Sequence, residues 1–158
     1  MESAAETATE YSHDDADLLR QPIGYWSWAA HDAVVSRTRA ALGRMGATQP
    51  QWWILAQVAS GPRTRDEVTG TLAGYLDTGA EAVRAGIDET VARGWVAEEP
   101  GGTLRLTTEG RAFHAEARAV QDELQKERHA GISDEEYLIT LKTLQRFIHN
   151  TRGRAWHH

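Results

Sequence analysis

The chain has 158 residues, a formal net charge of −6 and no cysteine. Hydrophobic residues make up 41% and charged residues 25%, which is typical of a soluble globular protein. The composition excludes a disulfide framework, a thiol nucleophile and an iron–sulfur site, and no apolar run approaches the ~18 residues that a membrane-spanning helix needs. The negative balance lowers the expectation of nucleic-acid binding without excluding it, because basic residues can cluster on an acidic protein.

The amino-terminal segment predicts a tail, then one or two helical turns over residues 14–20, and then a long helix. Residues 1–13 have few large apolar side chains and are expected to be disordered. Their acidic residues (Glu2, Glu6 and Glu10) are unlike a signal peptide, so we expect a cytoplasmic protein. Apolar residues recur at helical spacing over 23–44 and predict a long helix with Trp26 on its inward stripe.

A shorter helix is predicted next. Thr48 is placed to cap it and Pro50 to occupy its first turn. Ser60-Gly61-Pro62 breaks it. The residues expected to face inward are Trp52, Leu55, Ala56 and Ala59.

Residues 63–107 predict a helix, a tight turn, a second helix and a short β-hairpin. The first of these helices is expected from Arg65 to Leu76, with Thr64 as its N-cap and Glu67 as the capping-box partner. Asp77 or Thr78 offers the N-cap of the second helix. This is the order of a helix-turn-helix, whose second helix normally enters the DNA major groove.

The second helix is expected to end at Gly94 and to lead into the hairpin. Trp95-Val96 and Leu104–Leu106 predict two strands, and residues 100–103 supply the turn between them. A hairpin in this place predicts a wing. The apolar positions of the second helix are Val83, Ile87 and Val91.

Two further helices complete the chain. Thr107 or Thr108 is expected to cap a helix that runs to about Ala130, and Ser133 with Glu136 forms a capping box for the last helix. The apolar face of the last helix is wide for so small a body, which predicts a subunit interface. Its members are Tyr137, Leu138, Leu141, Leu144, Phe147 and Ile148.

Several local phrases, in this order and spacing, resemble the MarR family of winged-helix transcriptional regulators. They are GATQPQWWIL at 46–55, Gly61-Pro62, ARGWV at 92–96, LRLTTEGR at 104–111 and GISDEE at 131–136. The resemblance covers about 23–150. It implies a mainly α fold with a small β-hairpin wing, hence an α+β winged helix-turn-helix lobe joined to a helical dimerisation lobe.

The resemblance also implies a domain plan and partners. After the tail at 1–13, a single domain spans 14–150, with dimerisation helices at 14–45 and 108–150 and the winged helix-turn-helix at 48–107; residues 151–158 form a tail. The expected function is that of a homodimeric, non-enzymatic transcriptional regulator. It would bind a double-stranded, palindromic operator and respond to a small aromatic ligand.

The sequence departs from the family pattern in its charge. The start of the recognition helix carries Glu81, and the wing at 97–103 is short, with two acidic residues and no basic one. Between Gly61 and Thr107 there are five arginines and eight carboxylates, a net charge of −3. Phosphate neutralisation supplies most non-specific affinity for DNA, so weak binding is expected. The alternative function is a winged-helix dimer that has lost DNA binding and serves as a protein-interaction or small-molecule-binding module.

Arginines in the lobe are the candidate DNA contacts, because guanidinium groups bind phosphate or the edge of guanine. The competing interpretation is that they are solvated surface residues paired with nearby acids. The candidates, with the hydroxyl of the predicted cap, are Arg63, Arg65, Thr78, Arg84 and Arg105.

Aromatic residues at the predicted junction of lobe and dimerisation helices suit a flat aromatic ligand. The competing interpretation, which the sequence favours, is that these rings pack where three helices meet. The candidates for ligand binding are Tyr25, Trp26, His31, Trp52, Trp53 and His114.

The sequence gives little support for a metal, a cofactor or catalysis. His13 with Asp14, Asp15 and Asp17 offers ligands for a cation, but no helix carries the His-x3-His spacing of a zinc site. No nucleophile elbow, phosphate loop or dinucleotide fingerprint occurs. We therefore expect no metal, no cofactor and no enzymatic activity.

Overall fold

A computed structural model describes residues 10–74 and 79–155. They fall into two compact units that divide between Val35 and Ser36. The elements in chain order are α1 (Asp15–Leu18), α2 (Ile23–Arg44), α3 (Gln49–Ala59), β1 (Arg63–Thr64), α4 (Arg65–Leu72), α5 (Ala80–Ala92), β2 (Val96–Glu98), β3 (Thr103–Leu106), α6 (Thr108–His129) and α7 (Asp134–Asn150). The prediction of a mainly helical chain with a small hairpin is confirmed.

Local capping residues fix the starts of three helices as the sequence predicts. Thr64 Oγ1 accepts from the Glu67 amide at 3.2 Å, while the Glu67 carboxylate accepts from the Thr64 amide at 2.7 Å. Matching capping boxes begin α3 at Thr48 and α7 at Ser133. Each cap satisfies amide groups that the first helical turn leaves without partners, and is worth about 1 kcal/mol.

The start of α5 differs from the prediction. Its N-cap is Gly79, which makes no side-chain capping hydrogen bond. The predicted caps, Asp77 and Thr78, lie outside the described residues. The predicted extension of α4 to Leu76 is wrong, because the helix ends at Leu72 with Ala73 as its C-cap. Gly94 ends α5 as predicted, with a φ of 73° that a glycine adopts without strain.

The sheet has three antiparallel strands in the order β1-β3-β2. In the hairpin, Val96 faces Leu106 and Glu98 faces Leu104, while Arg63 of β1 pairs with Leu104. Sequence analysis missed β1, because a two-residue strand has no periodicity to detect. Its pairing places the start of α4 beside the wing.

The main core lies in the second unit. It is formed by α3, α4, α5 and the sheet around Ile54, Leu55, Val68, Ile87 and Leu104, which are almost fully buried. The remaining members of this cluster are Ala47, Val58, Leu72, Val83, Trp95, Val96 and Leu106. Among the described residues, no helix is both long enough and apolar enough to cross a membrane.

The buried face of α3 is not the predicted one. Gln51, Ile54 and Val58 are buried together with Leu55, whereas Ala59 is exposed. The helix contacts α4, α5, α6 and β3, so several neighbours, rather than one stripe, decide its buried side. The capping box also directs the polar Gln51 inward.

The tryptophans likewise depart from their predicted stripes. Trp53, expected off the stripe, packs against the core, whereas Trp52 is only half-buried. Trp26, expected to face inward, is 39% exposed.

The start of α6 is joined to the end of α5 through Thr107 and Trp95. The Thr107 hydroxyl donates to Gly94 O at 2.5 Å and accepts from the Gly110 amide at 2.9 Å. The Thr107 amide donates to Trp95 O at 3.0 Å. The Trp95 ring stacks on Phe113, with 4.1 Å between ring centroids, and Arg93 lies 3.8 Å from the Trp95 ring on a cation–π contact. This junction holds the wing against α6.

Gly110→Ala is expected to destabilise the fold by about 3 kcal/mol or more, because the added Cβ would lie 1.9 Å from the backbone oxygen of Trp95. Urea unfolding followed by circular dichroism measures the loss. Gly70→Ala is the matched control, since a Cβ there has no heavy atom within 4 Å and alanine favours the helix by up to about 1 kcal/mol. Equal stabilities for the two variants would contradict the close approach.

Candidate nucleic-acid interface

Helix α5 presents a face of short and charged side chains. Its buried residues are Val83, Gly86, Ile87 and Thr90. A Cβ on Gly86 would lie 2.8 Å from Ile54 Cδ1, so glycine lets α5 lie close to α3. The outward residues of α5, all exposed, are Glu81, Ala82, Arg84, Ala85, Asp88, Glu89 and Ala92.

Arg65, a predicted DNA contact, is held by two carboxylates of its own lobe. Its Nε and NH2 groups donate to the two oxygens of Glu98, each at 2.8 Å, and its NH1 lies 2.7 Å from Asp88 Oδ1. The hydrogen bonds to Glu98 raise the pKa of Arg65, and the same contact lowers the pKa of Glu98. We refer to these three residues as the Arg65 clamp. The clamp joins the start of α4 to α5 and to β2.

The other predicted arginines have different partners. Arg105, on β3, forms an ion pair with Glu99 at the turn of the wing. Arg63 makes a long contact of 3.4 Å to the Ser60 hydroxyl and has no ion pair with another described residue. Arg84 is exposed and has no ion pair within the described part of the chain. Thr78 lies outside the described residues. The predicted arginines thus fall into two groups. Arg65 and Arg105 are paired with carboxylates of the same chain, whereas Arg63 and Arg84 have no ion pair among the described residues.

A groove of about 610 Å³ runs along α5, and one of its lining residues is an arginine that sequence analysis did not predict as a DNA contact. Arg39, near the end of α2, lines this groove together with Gln49 at the start of α3 and Ala82 and Ala85 of α5. Arg39 Nε donates to Gln49 Oε1 at 3.2 Å, and Arg39 has no ion pair among the described residues, although Glu89 lines the same groove. Arg39 is 41 positions or more from α5 in sequence, so no local pattern reveals this proximity.

A polar network joins α3 to α5 beneath the groove. Buried Gln51 donates to Glu89 Oε2 at 3.0 Å and accepts from Arg93 at 3.3 Å. Arg93 also donates to the backbone oxygen of Gly46. These contacts fix the position of α5 and occupy Arg93 and Glu89 in the fold.

The residues predicted to bind a ligand lie in both units. In the second unit, the rings of Trp52 and His114 stack with centroids 5.2 Å apart. Partial burial is the main cause that lowers the pKa of His114, and the positive charge of nearby Arg118 lowers it further. In the first unit, Tyr25 meets Trp26 edge-on at 5.5 Å, and His31 is exposed. That they line one site stays a prediction.

The histidine and aspartates considered for a metal do not form such a site. Within the described ranges, no three His, Asp or Glu side chains are placed to hold a metal ion together. His13 instead shares a 2.7 Å hydrogen bond with Ser12.

The second unit defines a class of protein. Helices α3, α4 and α5, followed by a three-stranded sheet with a β2–β3 hairpin, have the order of a winged helix-turn-helix. Helices α6 and α7 extend it beyond the minimal lobe.

Comparison with solved structures assigns the fold more closely. The Mycobacterium tuberculosis MarR family protein Rv2887, in complex with DNA, is similar with a TM-score of 0.62 and 21% identity over 80% of this chain and 98% of that one. A mutant E. coli MarR with operator DNA has a TM-score of 0.63 and 21% identity, covering 85% and 99%. Rv2887 with salicylic acid has a TM-score of 0.60 and 22% identity, covering 80% and 96%. The chain therefore has a MarR-type winged-helix fold. No family model and no curated protein matches the sequence.

Glu98→Gln is expected to lower the melting temperature at neutral pH, because Arg65 loses one of its two carboxylates. Since the pKa of Glu98 is lowered in the fold, the stabilisation is present above the unfolded value of about 4.3 and is lost as the pH falls through the lower folded value. The difference from the wild-type chain should therefore vanish in acid. Thermal melts at a series of pH values measure it.

Glu116→Gln is the control for this prediction. Glu116 is an exposed carboxylate of α6 with no ion pair among the described residues. The Glu116→Gln variant should have the melting temperature of the wild-type chain at each pH. A Glu98→Gln variant that also does so at neutral pH would show that the clamp adds no stability.

Proposed function

We propose that the chain is a DNA-binding transcriptional regulator, not an enzyme, that acts in the cytoplasm as a homodimer. The observation that carries the proposal is the winged helix-turn-helix with an exposed Arg84, free of ion pairs among the described residues, on its second helix. Solved proteins of the same fold include two in complex with DNA. The order of helices supports placing α5 in the major groove and the hairpin beside it.

The dimer is supported by α7. No residue of α7 is buried in the described structure, even though the helix carries large apolar side chains. Leu138 is 52% exposed, Leu141 39% and Phe147 43%. A monomer with so many apolar side chains on one helix leaves a surface that association would remove from water. A two-fold dimer presents two copies of α5 to half-sites about 34–36 Å apart, which makes a palindromic operator the expected partner.

Few arginines are available to hold phosphate. Arg65 and Arg105 have internal carboxylate partners, whereas Arg39 and Arg63 contact the neutral groups of Gln49 and Ser60 and have no ion pair in the described part of the chain. Replacing an internal carboxylate by phosphate exchanges one ion pair for another and gains little. We therefore assign the phosphate contacts to Arg39 and Arg63. Two such contacts in each protomer are few for a DNA-binding protein, so non-specific affinity should be low.

A response to a small aromatic ligand completes the proposal. Rv2887 has been solved with salicylic acid, and the half-buried Trp52–His114 stack of this chain offers a flat surface with a polar edge. A ligand can change DNA affinity only through its different affinities for the free and DNA-competent states.

Binding to a pool of random duplexes, measured over a range of salt concentrations, tests the proposal. Four phosphate contacts per dimer predict a slope of log affinity against log salt of about −3.6, whereas eight contacts, with Arg65 and Arg105 included, predict about −7.2. Repeating the titration with salicylate should weaken retention.

The outcomes separate the alternatives. A slope near −3.6 with a palindromic motif in the retained duplexes supports the regulator and the assignment of its cations. A slope near −7 contradicts that assignment while keeping DNA binding. No retention at low salt removes DNA binding and leaves the winged-helix interaction module as the function to test.

Leu141→Glu is expected to convert the dimer to a monomer, because a carboxylate would have to be desolvated in the interface. Sedimentation velocity measures the change against the 17.5 kDa of one chain. Thr143→Glu adds the same carboxylate on the other side of α7 and should leave the dimer intact. A dimer for Leu141→Glu, or a monomer for the wild-type chain, would contradict the assigned interface.

A further inference from the structure

The first two turns of helix α5 combine two exposed charged residues with alanines on their outward side. Glu81 lies in the first turn and Arg84 three positions later, while Ala82 and Ala85 occupy neighbouring outward positions. Residues three and four apart share one side of a helix, so these charges lie along one line. The alanines keep the rest of that surface short enough for close approach to base edges.

Arg84 remains without an ion pair among the described residues although acids lie at helical spacing on both sides. Asp88, four positions further on, is held by Arg65 at 2.7 Å, and no ion pair joins Glu81 to Arg84. The Arg65 clamp thus withdraws the carboxylate that would otherwise compete for the Arg84 guanidinium. It also partly neutralises Asp88 on a face that must approach DNA.

We infer that base selection by this chain rests on Arg84, which reads guanine, and on Glu81, which reads cytosine. The inference rests on the proposed function and names its target. Arg donates two hydrogen bonds to O6 and N7 of guanine, a carboxylate accepts from N4 of cytosine, and alanine fits against the methyl group of thymine. The first residues of a recognition helix are the ones that reach base edges.

The spacing of the two residues sets the spacing of the bases. Three residues of α-helix rise about 4.5 Å, and successive bases of one strand are about 3.4 Å apart. Each half-site should therefore contain a guanine and a cytosine, on either strand, one or two base steps apart. Short outward alanines beside them favour neighbouring thymines.

Arg65 acts in this scheme as a positioning residue and not as a base contact. Its removal would leave Asp88 and Glu98 as uncompensated negative charges near the DNA. Arg65→Ala should then weaken binding to all duplexes alike and leave the selected sequence unchanged, whereas changes at Arg84 or Glu81 should alter the sequence itself.

Selection from a random duplex pool followed by sequencing tests the inference with four variants. Arg84→Ala should lose the preference for guanine at one position of each half-site by about tenfold or more, and Glu81→Gln should lose the preference for cytosine at a neighbouring position. Arg65→Ala should keep the motif with lower affinity. Arg118→Ala, which removes an exposed arginine of α6, should keep both motif and affinity.

The results distinguish the inference from the proposed function. A wild-type motif that Arg84→Ala retains unchanged, with only a uniform loss of affinity, would make Arg84 a phosphate contact and overturn the inference while the regulator stands. No motif from the wild-type chain would overturn both. Helical circular dichroism of Arg84→Ala and Glu81→Gln, expected to equal that of the wild-type chain, shows that any change in motif is not a loss of fold.

Discussion

The three-way contact of Arg65 with Glu98 and Asp88 is the interaction on which the winged lobe depends. It ties together the first turn of α4, the outward face of α5 and strand β2, which are far apart in sequence. A guanidinium presents a planar fork that matches a carboxylate, so one side chain fixes both the direction and the spacing of its partners. Wing and recognition helix are thereby held as one surface.

The same contact changes the electrostatics of the face. A net charge of −3 between Gly61 and Thr107 suggests a surface that repels DNA. Pairing Arg65 with two of those carboxylates and Arg105 with Glu99 places much of the negative charge in internal ion pairs. The charge that the exposed face of α5 presents then depends on a few side chains without an ion pair among the described residues, chiefly Glu81 and Arg84. Under the proposed function, such a protein would gain little from phosphate and would depend on fit to the bases.

Much of the fold was predictable because it depends on local chemistry. The capping boxes at Thr48, Thr64 and Ser133, the glycine end of α5 and the hairpin follow from residues a few positions apart. The inward face of α3 was not predictable from its own stripe, because four neighbours contact it. Sequence analysis named Arg65 and Arg105 as DNA contacts, yet their carboxylate partners, and the proximity of Arg39 to α5, arise only from tertiary packing.

The central claim is that Arg84 faces DNA while Arg65 stays with its carboxylates. Nitrogen-15 spectra of the arginine Nε–Hε groups, recorded before and after addition of a duplex that the protein retains, test it residue by residue. The account predicts that the Arg84 signal shifts strongly and that those of Arg65 and Arg105 stay in place. A shift of the Arg65 signal as large as that of Arg84 would show that the clamp opens onto DNA, and would contradict the account.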